Sequence, residues 1–280
     1  MGRALIRVSH KKRFNKQRAC PFESNKSYLI TMNIRNSIRN IIDTLHSNFW
    51  NIGFVEEDIR DVLNTSELNV HWLKHNYHDR WFADPFLLKV TPSEVTALVE
   101  EFSYKSKKGR IAKLTIQRDG YVLRDMKILL DLPTHLSFPV IYRKDNKVYI
   151  MPVNSQSGET KIYLYDDNCD TLTLQNVVNK LPLTDATIML APDGKRYLFS
   201  TYIPYQNGNK LQVYSFNHEN LTSSHEVVQE IVYEFNTARN AGDVFTVDGQ
   251  MYRPSQNCIN WYGNGVVIEK LYYSNGVFRT

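Results

Sequence analysis

Arg80-Trp81-Phe82-Ala83-Asp84-Pro85-Phe86-Leu87-Leu88 sets an aspartate between two aromatic residues and an apolar run. The run has the composition of a buried strand. The proline biases Asp84 away from helix and fits the opening of a strand. A carboxylate at the mouth of a buried strand needs a reason, because an unpaired buried charge costs several kcal/mol or is neutralised. A turn or cap aspartate is one explanation and a functional aspartate the other. The choice turns on whether similar openings recur.

Such openings recur. From residue 70 onward the chain reads almost wholly as strand and turn. Segments 84–89, 95–102, 110–116 and 121–130 make a first set, and 138–143, 147–152, 161–165 and 172–177 a second. A third runs 185–190, 196–201, 211–216 and 226–235, and a fourth 243–247, 250–253, 266–273 and 277–279. The sets open at Asp84, Ser137, Asp185 and Asp243, which are 53, 48 and 58 residues apart. Four-stranded sheets repeated at such a period are blades of a propeller. The expected fold is therefore an all-β, five-bladed β-propeller over residues 48–280, with segment 48–75 supplying most of a fifth blade. Four blades is the alternative.

Composition agrees. Of 280 residues 42% are hydrophobic, with 17 Tyr and 13 Phe, which provides for a large core and suits strands better than helices. No run approaches the roughly 18 apolar residues of a transmembrane segment. Residues 1–31 hold eight Lys/Arg against Glu23 alone, a charge of +7, so the net +5 leaves the remainder at −2. A near-neutral body argues against nucleic acid as a partner. Residues 1–31 read as a basic, disordered extension with Met32 as the biological start, and 32–47 as an amphipathic helix carrying Ile34, Ile38, Ile41, Ile42 and Leu45. Cys20, Cys169 and Cys258 form no disulfide or metal pattern, so a reduced, cytoplasmic protein without metal or cofactor is expected.

In a propeller the innermost strands line a central channel, and their openings converge there. The openings bring Asp84, His135, Asp185, Arg239, Asn240 and Asp243 together, and Arg253, Gln256 and Tyr262 add further groups. Carboxylates and amides bind hydroxyls, and aromatic faces cover the apolar side of a sugar ring. Glycosidic cleavage needs two carboxyl groups. Asp84 and Asp185 are the candidate pair, with Glu101 or Asp243 as a third. Glu100 and Glu101 are adjacent in a strand and face opposite ways, so at most one reaches the channel. Each of these residues has a plainer reading: aspartates tie down turns, His135 is a hydrogen-bonded structural histidine, and Arg239 or Arg253 holds blades together in a buried ion pair.

Six stretches together resemble one family. Phe82-Ala83-Asp84-Pro85-Phe86, Gly109-Arg110-Ile111, His135-Leu136-Ser137-Phe138-Pro139, Asp185-Ala186-Thr187-Ile188, Ala238-Arg239-Asn240-Ala241-Gly242, and Arg253-Pro254-Ser255-Gln256-Asn257-Cys258 with Tyr262-Gly263 resemble the N-terminal propeller domain of glucosamine inositolphosphorylceramide transferases and its free-standing bacterial relatives. Those relatives often accompany surface-polysaccharide genes. The domain is more distantly similar to five-bladed propellers of family 43 glycoside hydrolases. That resemblance implies Asp84 as general base, Asp185 as a residue that tunes pKa and positions substrate, and a glutamate as acid. Resembling chains carry Pro-Glu where this one has Pro152-Val153, and an aspartate where it has Asn257. The expected function is therefore a carbohydrate-binding propeller, non-catalytic, acting in surface polysaccharide or glycolipid synthesis. Its expected partners are a glycan or glycolipid head group and a glycosyltransferase. The alternative is a glycosidase-like or glycosyl-transferring enzyme using Asp84 and a second carboxylate, and the third class is a protein-interaction propeller.

Overall fold

The structure, a computed structural model, describes residues 49–65 and 67–280, and its strands belong to one unit, Asn51–Thr280. The expected basic extension and the helix over 32–47 lie outside the described residues. The unit opens with β1 (Gly53–Val55), α1 (Ile59–Asn64) and β2 (Val70–Trp72). Asp58 caps α1 by accepting a hydrogen bond from the Arg60 amide at 2.9 Å.

The first complete blade is the antiparallel meander β3 (Arg80–Val90), β4 (Glu94–Ser103), β5 (Lys108–Gln117) and β6 (Val122–Leu130). The second is β7 (Ser137–Lys144), β8 (Lys147–Val153), β9 (Thr160–Asp166) and β10 (Thr171–Asn179). In the third, β11 (Leu183–Leu190), β12 (Arg196–Tyr202) and β13 (Lys210–Asn217) are followed by β14 (Thr222–Ser223) and β15 (Gln229–Val232), both paired with β13. The expected strand over 226–235 is the shorter β15, and β14 precedes it on the same edge. The fourth blade is β16 (Phe245–Val247), β17 (Gln250–Asn257), β18 (Gly265–Ser274) and β19 (Val277–Arg279).

Four blades are complete, the first, second and fourth of four strands and the third with its outer edge in two pieces. The segment expected to build most of a fifth supplies a two-stranded sheet, β1 with β2. The reason is chain length: α1 takes up the middle of the segment and leaves three residues for each strand. Ile52, Phe54 and Leu73 pack with Phe82, Val99 and Leu114 of the first blade. Lys74 also pairs with the first blade's outer strand: its amide donates to the Tyr121 carbonyl at 2.8 Å, and the Leu123 amide donates to the Lys74 carbonyl at 2.9 Å. On the other side, Arg60 of α1 reaches Asp248 of the fourth blade with contacts of 2.6 and 3.0 Å.

Apolar clusters fasten neighbouring blades face to face. Leu98 meets Ile150 and Tyr165 between the first and second. Phe138, Met151 and Ile162 meet Leu183, Leu198 and Tyr214 between the second and third. Phe199, Leu211 and Val213 meet Leu271 and Phe278 between the third and fourth. Burying side chains of this size is worth about 1.5–3 kcal/mol each, so these interfaces fix the orientation of the inner strands.

The inner strands share a local device. Their pairing slips between Ala83 and Phe86 on β3, Ser137 and Val140 on β7, and Thr184 and Thr187 on β11. Inside each slip one non-glycine residue takes a positive φ: Asp84 at 50°, Phe138 at 46° and Asp185 at 47°. Bulges of this kind bend a strand and re-aim a side chain. Phe138, not Ser137, therefore holds in the second blade the place of Asp84 in the first. Aspartate tolerates this backbone region better than phenylalanine does, and Phe138 is steadied by its amide's 3.2 Å hydrogen bond to Asp84 Oδ2.

Candidate functional site

Asp84 and Asp185 sit on these bulges and are both buried. Asp84 bridges the first two blades through the Phe138 amide. Asp185 bridges the third and fourth: its Oδ2 accepts from Arg239 Nε at 2.5 Å and from Gln256 Nε2 at 2.6 Å, and its Oδ1 lies 3.4 Å from Arg239 Nη2. Arg239 also donates to Asn207 Oδ1 at 2.8 Å and lies over the Tyr262 ring, 4.8 Å from its centroid. The guanidinium is thus held flat between a carboxylate, an amide and an aromatic face. Charge-assisted bonds of this kind are stronger than neutral ones and fix geometry as well.

Asn240 ties the same corner to the backbone, donating to the Asp185 carbonyl at 2.8 Å and the Phe199 carbonyl at 3.0 Å. Gln256 Nε2 donates to the Asn240 carbonyl at 2.9 Å, while buried Gln256 Oε1 meets no donor among the described residues. A buried acceptor in that state favours a hydroxyl or a water at its face.

His135 precedes the second blade. Its Nδ1 accepts from the Gly109 amide at 2.9 Å, so the neutral ring carries its proton on Nε2, which faces Glu100 Oε1 at 3.3 Å. Gly109 is required for this approach, since a Cβ there would lie 2.3 Å from the Leu136 carbonyl oxygen and 2.7 Å from Glu100 Oε1. Burial pushes the imidazole pKa below its ordinary 6.5, the Asp84 carboxylate opposes that fall, and the Arg239 guanidinium reinforces it. His135 therefore lies within electrostatic reach of Asp84 on the first blade and of Arg239, the partner of Asp185, on the segment leading into the fourth.

That geometry carries a pH prediction. Between the lowered folded pKa and 6.5 the unfolded chain binds more protons at His135 than the folded one, so this contribution to stability is lost as pH falls through that window. Histidine NMR titration is expected to show His135 titrating below 6.5 with the Nε2–H tautomer at neutral pH. Titration above 6.5 would contradict the geometry.

Two expected site residues, Glu101 and Arg253, are committed elsewhere. Glu101 is fully buried away from the channel, accepting from Arg80 Nη1 at 3.0 Å and from Arg110 Nε and Nη2 at 2.9 Å each. Its carboxylate raises the pKa of Arg110. Glu100, the other member of the pair, is the one that joins the site. Arg253 is fully buried and its two terminal nitrogens are occupied by Ala238 O, Asn240 Oδ1, Thr237 O and Glu269 Oε2 at 2.8–2.9 Å, so it supports Asn240 and offers no face to a ligand. Asp243, in the link before β16, keeps a face open to solvent while the protein packed around it pushes its carboxyl pKa up to about 7, and Asn240 is bridged to Ser255. Asn207 had no signal in the sequence beyond its place in a polar loop. A cleft of about 480 Å³ lined by Arg196, Phe216, His218 and Val228 contains none of these residues.

The blades and their bulged inner strands define a β-propeller of the type found in family 43 glycoside hydrolases. The exo-β-1,3-galactanase of Phanerochaete chrysosporium, solved with β-1,3-galactotriose, superposes with a TM-score of 0.55 at 13% identity over 82% of this chain and 59% of its own. The RS223 β-xylosidase gives a TM-score of 0.57 at 10% identity, covering 82% of this chain and 83% of its own. At such identities the likeness is one of fold. The chain itself belongs to the family described as glucosamine inositolphosphorylceramide transferase 1, N-terminal, which matches residues 67–275. Glucosamine inositolphosphorylceramide transferase 1 of Oryza sativa subsp. japonica is 27% identical over 201 residues, covering 70% of this chain. The chain spans about a quarter of the length of the curated relatives it matches, 25–27%.

Proposed function

We propose that this chain is a carbohydrate-binding propeller acting in surface polysaccharide or glycolipid synthesis, with a saccharide held at the end of the ring where Asp84, Glu100, His135, Asp185, Arg239 and Gln256 meet. The observation that supports this reading is a pair of buried polar clusters, Asp84 with Glu100 and His135, and Asp185 with Arg239 and Gln256, with His135 in electrostatic reach of both Asp84 and Arg239. Carboxylates accept from sugar hydroxyls, the guanidinium and the imidazole Nε2–H donate to them, and Gln256 Oε1 offers a further acceptor. Family membership and the saccharide chemistry in the names of the similar proteins support the same reading.

Binding without cleavage is favoured by the state of the remaining acids. Glu101 is committed to two arginines, and position 153 carries a buried valine paired with Ser137. One observation favours a second reading, a glycosidase-like or glycosyl-transferring enzyme: Glu100 beside the His135 proton could serve as acid to Asp84 as base. A cytoplasmic location and a glycosyltransferase partner belong to the proposal as well.

Asp84→Asn separates the two. Asparagine Oδ1 can still accept from the Phe138 amide, so the bulge is kept. A hydrogen bond to a charged group is worth about 1.5–3 kcal/mol, so saccharide affinity is expected to fall roughly tenfold to a hundredfold. The check is calorimetry on the best ligand from a saccharide library, beside a turnover assay on the same ligand. Turnover by the wild type that vanishes in the variant while affinity stays would establish the enzyme reading. Unchanged affinity and no turnover would reject both.

A further inference from the structure

We infer that the rim formed by three loops of the third and fourth blades docks on a lipid surface. The loops are residues 203–209 and 257–265, sixteen residues without an Asp, Glu, Lys, Arg or His in a chain that is 22% charged, and residues 235–238 of the longer connection 233–244, which itself carries Glu234, Arg239 and Asp243. At that frequency roughly three to four charges would be expected in the first two. The equivalent connection of the first blade, between β4 and β5, carries Lys105 and Lys107 within four residues.

The three loops form one surface. The Cys258 amide donates to the Asn236 carbonyl at 2.9 Å, the Ala238 amide to the Gly208 carbonyl at 3.4 Å, and Arg239, which follows the second loop, to Asn207 of the first. Ile203, Tyr205, Phe235, Ile259, Trp261 and Tyr262 are all exposed on it, Tyr205 at 64% and Phe235 at 53%. Single exposed apolar residues are ordinary, but a contiguous set around a polar site marks an interaction surface.

The composition selects the partner. Tryptophan and tyrosine favour the membrane–water interface, where an apolar ring and a polar tip are both satisfied, and charges are the side chains most costly to bring there. Aromatic faces alone would also suit a glycan, but exposed Ile203 and Ile259 have no role in sugar stacking. Several loop amides are turned inward: Asn209 donates to the Tyr233 carbonyl at 2.9 Å, Asn207 accepts from Arg239, and Asn257 Oδ1 accepts from the Ile259 amide at 3.1 Å. These three amides are engaged within the loops while the aliphatic and aromatic groups are exposed. Attraction to such a rim is apolar, so it needs no anionic lipid. A protein seated this way would present its polar ring to the head-group layer.

The test is flotation of the full chain with vesicles of neutral phosphatidylcholine at low salt and at about 0.5 M NaCl, where exposed charge–charge attraction is screened. Co-flotation that persists in salt is expected. Ile259→Glu and Phe235→Glu, exposed residues outside the polar site, are each expected to lower partitioning about tenfold or more, with circular dichroism and saccharide affinity unchanged. Absence of flotation would overturn the inference. Flotation only with anionic vesicles and lost in salt would overturn it too, and would assign binding to the basic residues 1–31. Loss of saccharide affinity in both variants without vesicle binding would identify a glycan platform instead. Vesicle binding does not require a sugar in the ring, so failure here and failure of the saccharide site are separately visible.

Discussion

Arg253→Met is expected to cost about 3–5 kcal/mol of folding stability, the range for removing one partner of a buried charged pair. Methionine fills much of the volume, so the loss is one of bonding. Arg253 is fully buried, and its removal strips donors from Glu269 Oε2, Asn240 Oδ1 and the carbonyls of Thr237 and Ala238. Its guanidinium also lies 4.8 Å from the centroid of the Tyr233 ring, whose hydroxyl pKa burial pushes up to about 12. Urea unfolding should show a lower midpoint at unchanged slope. Glu269→Gln in the same chain is expected to recover part of the loss by removing the stranded carboxylate. A variant with wild-type stability and abolished saccharide binding would restore Arg253 as a ligand contact.

Glu101→Gln is the second large effect, expected at about 3 kcal/mol of stability, toward the low end for a buried pair. The arginine side chains keep 18–19% of their surface in water and have second partners in Asp79 and Asp131, which softens the loss. The carboxylate itself is fully enclosed, and a neutral amide can satisfy only part of two guanidinium groups. Saccharide affinity of the folded variant should stay within about twofold of wild type, as expected for a site with no contact to the residue. If Glu101 were the catalytic acid, the pattern would be reversed: activity lost and stability kept. Thermal unfolding and ligand titration on one sample give both readings.

These two residues show where the sequence was informative and where it was not. The four-strand rhythm was legible because alternating burial and turn residues are local signals, and most of the sixteen expected strands overlap observed ones. The fifth blade was not, because a stretch from Gly53 to Trp72 that includes a short helix can look like strand material until its pairing is known. Asp84, His135, Asp185, Arg239, Asn240 and Gln256 were legible as openings and late motifs, and each makes a polar contact between neighbouring blades or their leading segments. Glu100 and Glu101 were indistinguishable, since an alternating strand says that they part but not which side holds the arginines. The slip at β7 set Phe138 in the position expected for Ser137, because a bulge shifts register by geometry that spacing alone does not encode. Asn207 lies 32 residues from the arginine it orients, a contact that exists only once the third and fourth blades are packed.

The unequal attachment of β1–β2 has a mechanical consequence. Toward the first blade that small sheet is held by apolar packing and by main-chain bonds at Lys74; toward the fourth, the described residues show the exposed Arg60–Asp248 pair. Pairs in that setting hold weakly and are loosened by salt. Salt is therefore expected to loosen this contact between α1 and the fourth blade. Arg239, Asn240 and Gln256 stand on the blade beside it and on the segment leading into that blade. A ring that yields at one joint can admit a bulky or branched chain from the side, where a sealed one would accept only what threads its opening.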